Sequence, residues 1–185
     1  LAVLVGDALI VLAFEIVTRA GADVPERAAA ILLTIARAVG APRGIVAGQA
    51  WECEPGTDIV EYQRSKTGAL FVAAVQAGAQ AAGSNPVPWV ALGERLGEAY
   101  QVADDVRDVA STEEALGKPV HQDSTLGRPN MAAEVGLREA VERFDRLVDK
   151  AVASIPRCSA SSVLRHMIRQ ESERLIPPQF IRRAA

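Results

Sequence analysis

The chain has 185 residues, of which 49% are hydrophobic and 23% are charged, and its formal net charge is −3. This balance is typical of a folded globular protein with a sizeable core and excludes a disordered tail. Acidic and basic residues are interspersed along the chain, and because no basic stripe is present, we set nucleic-acid binding aside.

The composition favours helices. Aromatic residues make up only 4% of the chain, whereas β-sandwich strands are rich in aromatic and β-branched residues. No segment alternates with a period of two for long enough to predict a strand. We therefore predict an all-α fold, a single helical domain over residues 1–185. Glycine and proline breaks divide it into predicted helices near residues 1–20, 25–39, 43–52, 59–82, 87–109, 131–154 and 162–175.

The first predicted helix is apolar nearly all round, which predicts burial within a bundle. It contains Asp7 and Glu15, and it is too short and too charged to span a membrane. Because the sequence opens without Met or a cationic leader, we expect it to begin midway through a core helix. The two cysteines, Cys53 and Cys158, form neither a ligand cluster nor a disulfide framework and favour a cytoplasmic location.

The strongest chemical signal is an acidic group near the end of the helix at 87–109. Gln101, Asp104, Asp105 and Asp108 share one helix face, because residues three and four apart are neighbours. Their repulsion costs about 0.2–0.5 kcal/mol per pair, and negative charge at a helix C-terminus also opposes the helix dipole. A bound Mg²⁺ would offset both terms, since it prefers carboxylates together with substrate phosphates. A solvated acidic face is the alternative that the residues leave open.

A second signal is Lys66-Thr67-Gly68 within an otherwise apolar helix. A positive charge, a hydroxyl and a close backbone approach suit the binding of a diphosphate. The alternative is structural: the lysine extends from a buried helix to solvent, and the glycine allows close helix packing. Lys118, in a polar loop beyond the acidic helix, is placed to reach a metal-held phosphate or is merely solvated. Gln49, among small residues, either faces a cavity or is a satisfied core amide.

These motifs, taken in order, resemble those of the trans-isoprenyl diphosphate synthases, the polyprenyl synthetase family. The resemblance covers nearly the whole chain and rests on Gly6-Asp7, Gly48-Gln49, Lys66-Thr67-Gly68, Tyr100-Gln101, Asp104-Asp105-x-x-Asp108 and Leu116-Gly117-Lys118. Within the family the chain is most similar to the bacterial geranylgeranyl diphosphate synthases of carotenoid and bacteriochlorophyll pathways. That finer similarity rests on residues 49–52, 101–105, 122–123, 128–130 and 153–156.

The resemblance implies an isoprenoid-synthase-type helical bundle around a central apolar cavity, usually as a homodimer. It implies a Mg²⁺-dependent transferase that condenses isopentenyl diphosphate with an allylic diphosphate, with geranylgeranyl diphosphate as the expected product. Asp104, Asp105 and Asp108 match the second of two metal-binding aspartate-rich motifs. The residues expected at the substrate diphosphate are Lys66, Thr67, Gln101, Lys118 and Gln49.

The sequence also departs from the family pattern. The first aspartate-rich motif and the basic residues for isopentenyl diphosphate precede, in the family, the helix at residues 1–20. We therefore expect the chain to lack the N-terminal part of the fold, and we predict that these 185 residues alone do not catalyse condensation. His121 stands where many relatives have glycine.

Two other functions remain as alternatives. A non-catalytic subunit that modulates a full synthase fits the missing first motif, but it gives no reason for an intact second motif. A class I terpene cyclase also ionises prenyl diphosphates with Mg²⁺. It normally carries a further metal motif of the Asn/Ser/Glu type, and no such spacing follows Asp108.

Overall fold

The computed structural model describes residues 1–51, 54, 61–62, 64–110 and 130–176. Within these ranges the regular elements are all helical and no strand occurs, so the all-α prediction is confirmed. The α-helices are α1 (Ala2–Ala20), α2 (Pro25–Val39), α3 (Ile45–Trp51), α4 (Ala69–Ala81), α5 (Val90–Ala110), α6 (Met131–Val135), α7 (Leu137–Ala153) and α8 (Ser161–Leu175). A π-helical turn, Arg64–Gly68, precedes α4, and a 3₁₀ turn, Val87–Trp89, precedes α5.

The chain divides into two compact units, Leu1–Glu94 and Arg95–Ala185, and α5 begins in the first and ends in the second. The prediction of a single domain over residues 1–185 stays a prediction, as does the central cavity.

In the first unit α2 packs against both α1 and α4, and α3 packs against the π-helical turn. Pro25 occupies the first turn of α2, as predicted, where its missing N–H costs nothing. The N-cap position of α2 is Val24, which makes no side-chain capping hydrogen bond. The Thr34 hydroxyl donates to Gln80 Oε1 at 3.1 Å and links α2 to α4.

The helix α1 differs from its prediction, because none of its residues is fully buried. Its apolar side chains include Val3, which is 76% exposed, and only Ala13, Phe14 and Val17 are half-buried. A helix that is apolar all round needs neighbours on several sides, and here α2 is its main described neighbour. No described helix is both long enough and apolar enough to cross a membrane.

The second unit is built on α7, whose inner face is apolar along its whole length. Phe144, Leu147 and Val148 pack there with Val102 and Val106 of α5 in one buried cluster. Such burial contributes about 1.5–3 kcal/mol for each large side chain. This packing fixes which face of α5 points into the core.

The predicted helix at 131–154 is two helices rather than one. Gly136 has φ +88° and ψ 156°, a backbone conformation that side-chain-bearing residues rarely adopt. It ends α6 and starts α7. The apolar pattern continues across the break, which is why the sequence predicted a continuous helix.

Candidate active site

The three predicted metal ligands lie on the last turns of α5, in clearly different surroundings. The Asp104 side chain is 33% exposed, whereas Asp105 is 3% exposed and Asp108 is 5% exposed. At about 100° per residue, Asp108 lies about 40° from Asp104 and about 60° from Asp105 around the helix axis. The shared face predicted from spacing is therefore present, but its two edges meet different environments.

Asp104, on the more exposed edge, pairs with a cation of its own helix. Its Oδ1 accepts a hydrogen bond from Arg107 Nη2 at 3.1 Å, an i,i+3 ion pair. The Arg107 Nε atom is buried without a hydrogen-bond partner in the part of the chain that the structure describes. Arg107 thus offsets part of the negative charge that the sequence places at this helix end.

Asp105, on the buried edge, accepts hydrogen bonds from described residues at both of its carboxylate oxygens. Its Oδ1 accepts from Gln101 Nε2 at 3.0 Å, and its Oδ2 accepts from the backbone N–H of Met131 at 3.0 Å. The neighbouring Asn130 donates from Nδ2 to the Asp105 carbonyl oxygen at 3.4 Å. Gln101, predicted to touch substrate, contacts Asp105 here.

Asp108 is only 5% exposed, and among the described residues the structure gives its carboxylate no hydrogen bond or ion pair. Its oxygens are not among the fully buried polar atoms, so they are available to a bound cation. The described ranges hold no set of three His, Cys, Asp or Glu side chains that already forms a metal cage. That arrangement is compatible with Mg²⁺, which is usually held by one or two carboxylates together with waters and substrate phosphates.

In the first unit, Lys66 lies on the π-helical turn Arg64–Gly68. Short π-helical turns are rare and are frequently found at functional sites. The Lys66 ammonium donates to the Tyr62 hydroxyl at 2.8 Å and lies 5.2 Å from the centroid of that ring. Both contacts hold the positive charge in place, the second through the electrostatics of the ring face.

The backbone of this turn touches α3 at Gly48. A Cβ atom at Gly48 would lie 2.5 Å from Lys66 N and 2.7 Å from Lys66 Cα, so only glycine fits. The Gly48-Gln49 and Lys66-Thr67 pairs, predicted from separate motifs, are therefore neighbours in the first unit. Gln49 is exposed and Thr67 is half-buried. Lys118 and His121 lie outside the described residues.

Sequence reasoning assigned no site role to Tyr62, Arg107 or Asn130. Tyr62 stands four residues before Lys66, and Arg107 stands three after Asp104, spacings that place side chains side by side on a helix. Asn130 directly precedes a predicted helix and is its N-cap, accepting from Ala133 N at 2.9 Å. An asparagine in that position is a recognised start signal, but its bond to Asp105 cannot be read from spacing.

Comparison with known proteins identifies the family. The family model of the polyprenyl synthetases matches residues 1–167. The chain belongs to the polyprenyl synthetase family. It is 47% identical to the geranylgeranyl diphosphate synthase of Cereibacter sphaeroides over 183 residues, 99% of this chain and 64% of that protein. It is 42% identical to the corresponding synthase of Rhodobacter capsulatus over 176 residues, 95% of this chain and 61% of that protein.

Solved structures agree with the helical fold of this chain. An FPP/GFPP synthase from Zymomonas mobilis matches with a TM-score of 0.65 and 29% identity, covering 89% of this chain and 58% of that one. A geranyltransferase from Helicobacter pylori, complexed with magnesium and isoprenyl diphosphate, matches with a TM-score of 0.68 and 24% identity, covering 97% of this chain and 60% of that one. The isoprenoid-synthase-type fold is therefore confirmed, over a chain that spans about three fifths of these relatives.

Proposed function

We propose that the protein is a Mg²⁺-dependent prenyltransferase that condenses isopentenyl diphosphate with an allylic diphosphate, and that its product is geranylgeranyl diphosphate. The observation that carries the proposal is the acidic face of α5. There the half-buried Asp104 stands one turn from Asp108, which is 5% exposed and has no hydrogen bond or ion pair to the described part of the protein. The 47% identity to a geranylgeranyl diphosphate synthase supports the product.

Asp104 and Asp108 are the carboxylates that we propose for Mg²⁺. When bound, Mg²⁺ supplies positive charge that stabilises the departing diphosphate. The Helicobacter pylori geranyltransferase contains magnesium and isoprenyl diphosphate, which is the ligand chemistry proposed for this chain. Arg107 would be released from Asp104 to the extent that the carboxylate turns to the metal.

Lys66 is proposed to bind the allylic diphosphate. Its ammonium lies against the hydroxyl and the ring of Tyr62, so its position is largely set before substrate arrives. Fixed positive charge aimed at a leaving group stabilises it as the bond breaks, because little reorganisation is then needed. Thr67 is proposed to add a hydrogen bond, and Lys118 a second positive charge. Gln49 and Gln101 remain the proposed neighbouring polar groups.

The proposed reaction breaks the allylic C–O bond, and the bonding electron pair leaves with the diphosphate. The double bond of isopentenyl diphosphate then forms the new C–C bond to the allylic cation, and loss of one proton restores a double bond. The departing diphosphate, proposed to be bound by Lys66, is a chemically reasonable acceptor for that proton.

The partners and the location are also proposals. We propose a homodimer and a cytoplasmic location, the latter supported by a free, exposed Cys158 thiol. We also retain, as a proposal, the prediction that residues 1–185 alone do not catalyse condensation; they span 64% of the length of the Cereibacter sphaeroides relative.

The test uses the complete gene product with radiolabelled isopentenyl diphosphate and dimethylallyl, geranyl or farnesyl diphosphate. We expect a C20 product with Mg²⁺ and none after chelation. Products of another length would refute the geranylgeranyl assignment alone. No product from any of the three would refute the prenyltransferase. If product length changed only after mixing with a second synthase, the modulating-subunit function would replace the proposal. A parallel reaction with residues 1–185 tests the inactivity of this chain.

A further inference from the structure

The adjacent aspartates of α5 do not share one environment. Asp104 pairs with Arg107, and a third of its side chain, 33%, remains exposed. Asp105 is 3% exposed, and both of its carboxylate oxygens accept hydrogen bonds from the protein. Turning the Asp105 carboxylate toward a substrate-bound Mg²⁺ would therefore break hydrogen bonds that the protein makes to both of its oxygens.

The bonds to Asp105 connect two helices. The Met131 N–H belongs to the first turn of α6, where N–H groups have no partner within the helix, and it donates to Asp105 Oδ2. Asn130 returns the contact, because its Nδ2 donates to the Asp105 carbonyl oxygen while its Oδ1 caps α6 at Ala133 N. The Asp105 side chain thus bonds to the backbone at the start of α6, and the Asn130 side chain bonds to the backbone of α5.

Both members of this contact are buried, since Asn130 and Asp105 have little exposed surface. Buried polar groups of this kind are costly when one partner is removed, because the other is left unsatisfied. The position of α6 against the end of α5 therefore depends on Asp105.

We infer that Asp105 is a positioning residue that fastens the start of α6 to α5 through Asn130 and Met131, and that it does not bind Mg²⁺. Gln101 orients the Asp105 carboxylate in the same contact. The inference rests on the proposed function, since it assigns the metal to Asp104 and Asp108. It divides the three aspartates between two tasks.

The decisive variant is Asp105→Asn in the complete gene product. An asparagine keeps the contact, because its oxygen can accept from Met131 N–H and its amide can donate to a rotated Gln101 amide. The Asp105→Asn substitution removes the negative charge that a metal ligand at this position would supply. We expect Asp105→Asn to melt within about 2 °C of the wild type, and Asp105→Ala and Asn130→Ala each to melt about 3–8 °C lower.

Metal affinity is measured by Mn²⁺ electron paramagnetic resonance with inorganic pyrophosphate present. We expect Asp105→Asn to bind Mn²⁺ within about threefold of the wild type, and the matched control Asp104→Asn to bind about tenfold more weakly or worse, because the site loses a ligand charge. Equal weakening in both variants would overturn the inference. A melting temperature of Asn130→Ala equal to that of the wild type would also overturn it. This result can be interpreted even if the Asp105→Ala variant does not fold.

The same experiment separates this inference from the proposed function. If Asp104→Asn and the wild type bound Mn²⁺ equally, the proposed metal site would fail, whereas the melting temperatures would still test the contact between α5 and α6. A double variant, Asp105→Ala with Asn130→Ala, adds a further check. We expect it to lose less stability than the sum of its parts, because both changes remove one shared contact. Strict additivity would contradict the contact.

Discussion

Replacing Gly48 by alanine tests how α3 holds the turn that carries Lys66. The new Cβ atom would lie 2.5 Å from Lys66 N and 2.7 Å from Lys66 Cα, whereas ordinary van der Waals contact begins at 3.4 Å. The obstructing atoms are backbone and cannot rotate away. The turn Arg64–Gly68 or the helix α3 must therefore move by about 1 Å to restore contact.

The cost follows from this displacement. Overpacking of a close backbone contact costs about 1–3 kcal/mol, which corresponds to a melting temperature about 2–10 °C lower in a protein of this size. A 1 Å misplacement of a catalytic group reduces rates by up to about a hundredfold. Because Lys66 is proposed to bind the allylic diphosphate, we expect the KM for that substrate to rise more than the KM for isopentenyl diphosphate.

The assay is steady-state kinetics with each substrate varied in turn, together with thermal melting. Gly78→Ala is the matched control, because Gly78 lies inside α4 and its Cβ would meet nothing within 4 Å. That change removes a flexible residue from a helix interior and should stabilise the protein by about 0.5–1 kcal/mol. Wild-type stability and wild-type kinetics in Gly48→Ala would refute the close packing described here.

Two further predictions use single side chains. Tyr62→Phe removes the hydroxyl that accepts a hydrogen bond from Lys66 but keeps the ring. We expect the KM for the allylic diphosphate to rise about three- to tenfold. An unchanged KM would show that the Tyr62 hydroxyl does not position the lysine. In the second unit, partial burial and the nearby Asp149 raise the pKa of Asp145 above its usual 3.8. The free energy of unfolding therefore falls as pH rises from 3.8 to the folded pKa, and the loss remains at higher pH. Asp145→Asn should therefore raise the melting temperature slightly at pH 7, and the gain should shrink as pH falls toward 4. The gain is small because much of the side chain is exposed. A gain in melting temperature that does not depend on pH would contradict this.

The helix boundaries could be predicted where glycine or proline acts locally. Pro25 begins α2 and Gly40 follows its end, because each changes the backbone of its own residue and its neighbour. Gly136 also ends one helix and starts the next, but it lies within a segment whose apolar pattern continues on both sides. Only its positive φ distinguishes a break from a tolerated helical glycine.

The candidate site divides in the same way. Helical spacing correctly places Asp104, Asp105 and Asp108 on one face, since that depends on the helix alone. Which aspartate faces Asn130 depends on packing against a segment 25 residues further along, and no local pattern carries that information. The exposure of α1 is a similar case, because an apolar surface does not specify its neighbours.

The most direct measurement for the central claim compares the complete gene product with its Asp104→Asn variant. Incorporation of labelled isopentenyl diphosphate into prenyl product is followed at rising Mg²⁺ concentration, with thermal melting as a check that both proteins fold. We expect Mg²⁺-dependent incorporation in the wild type and a loss of about a hundredfold or more in the variant. Equal incorporation by both folded proteins, or incorporation without Mg²⁺, would contradict the proposed metal-assisted mechanism.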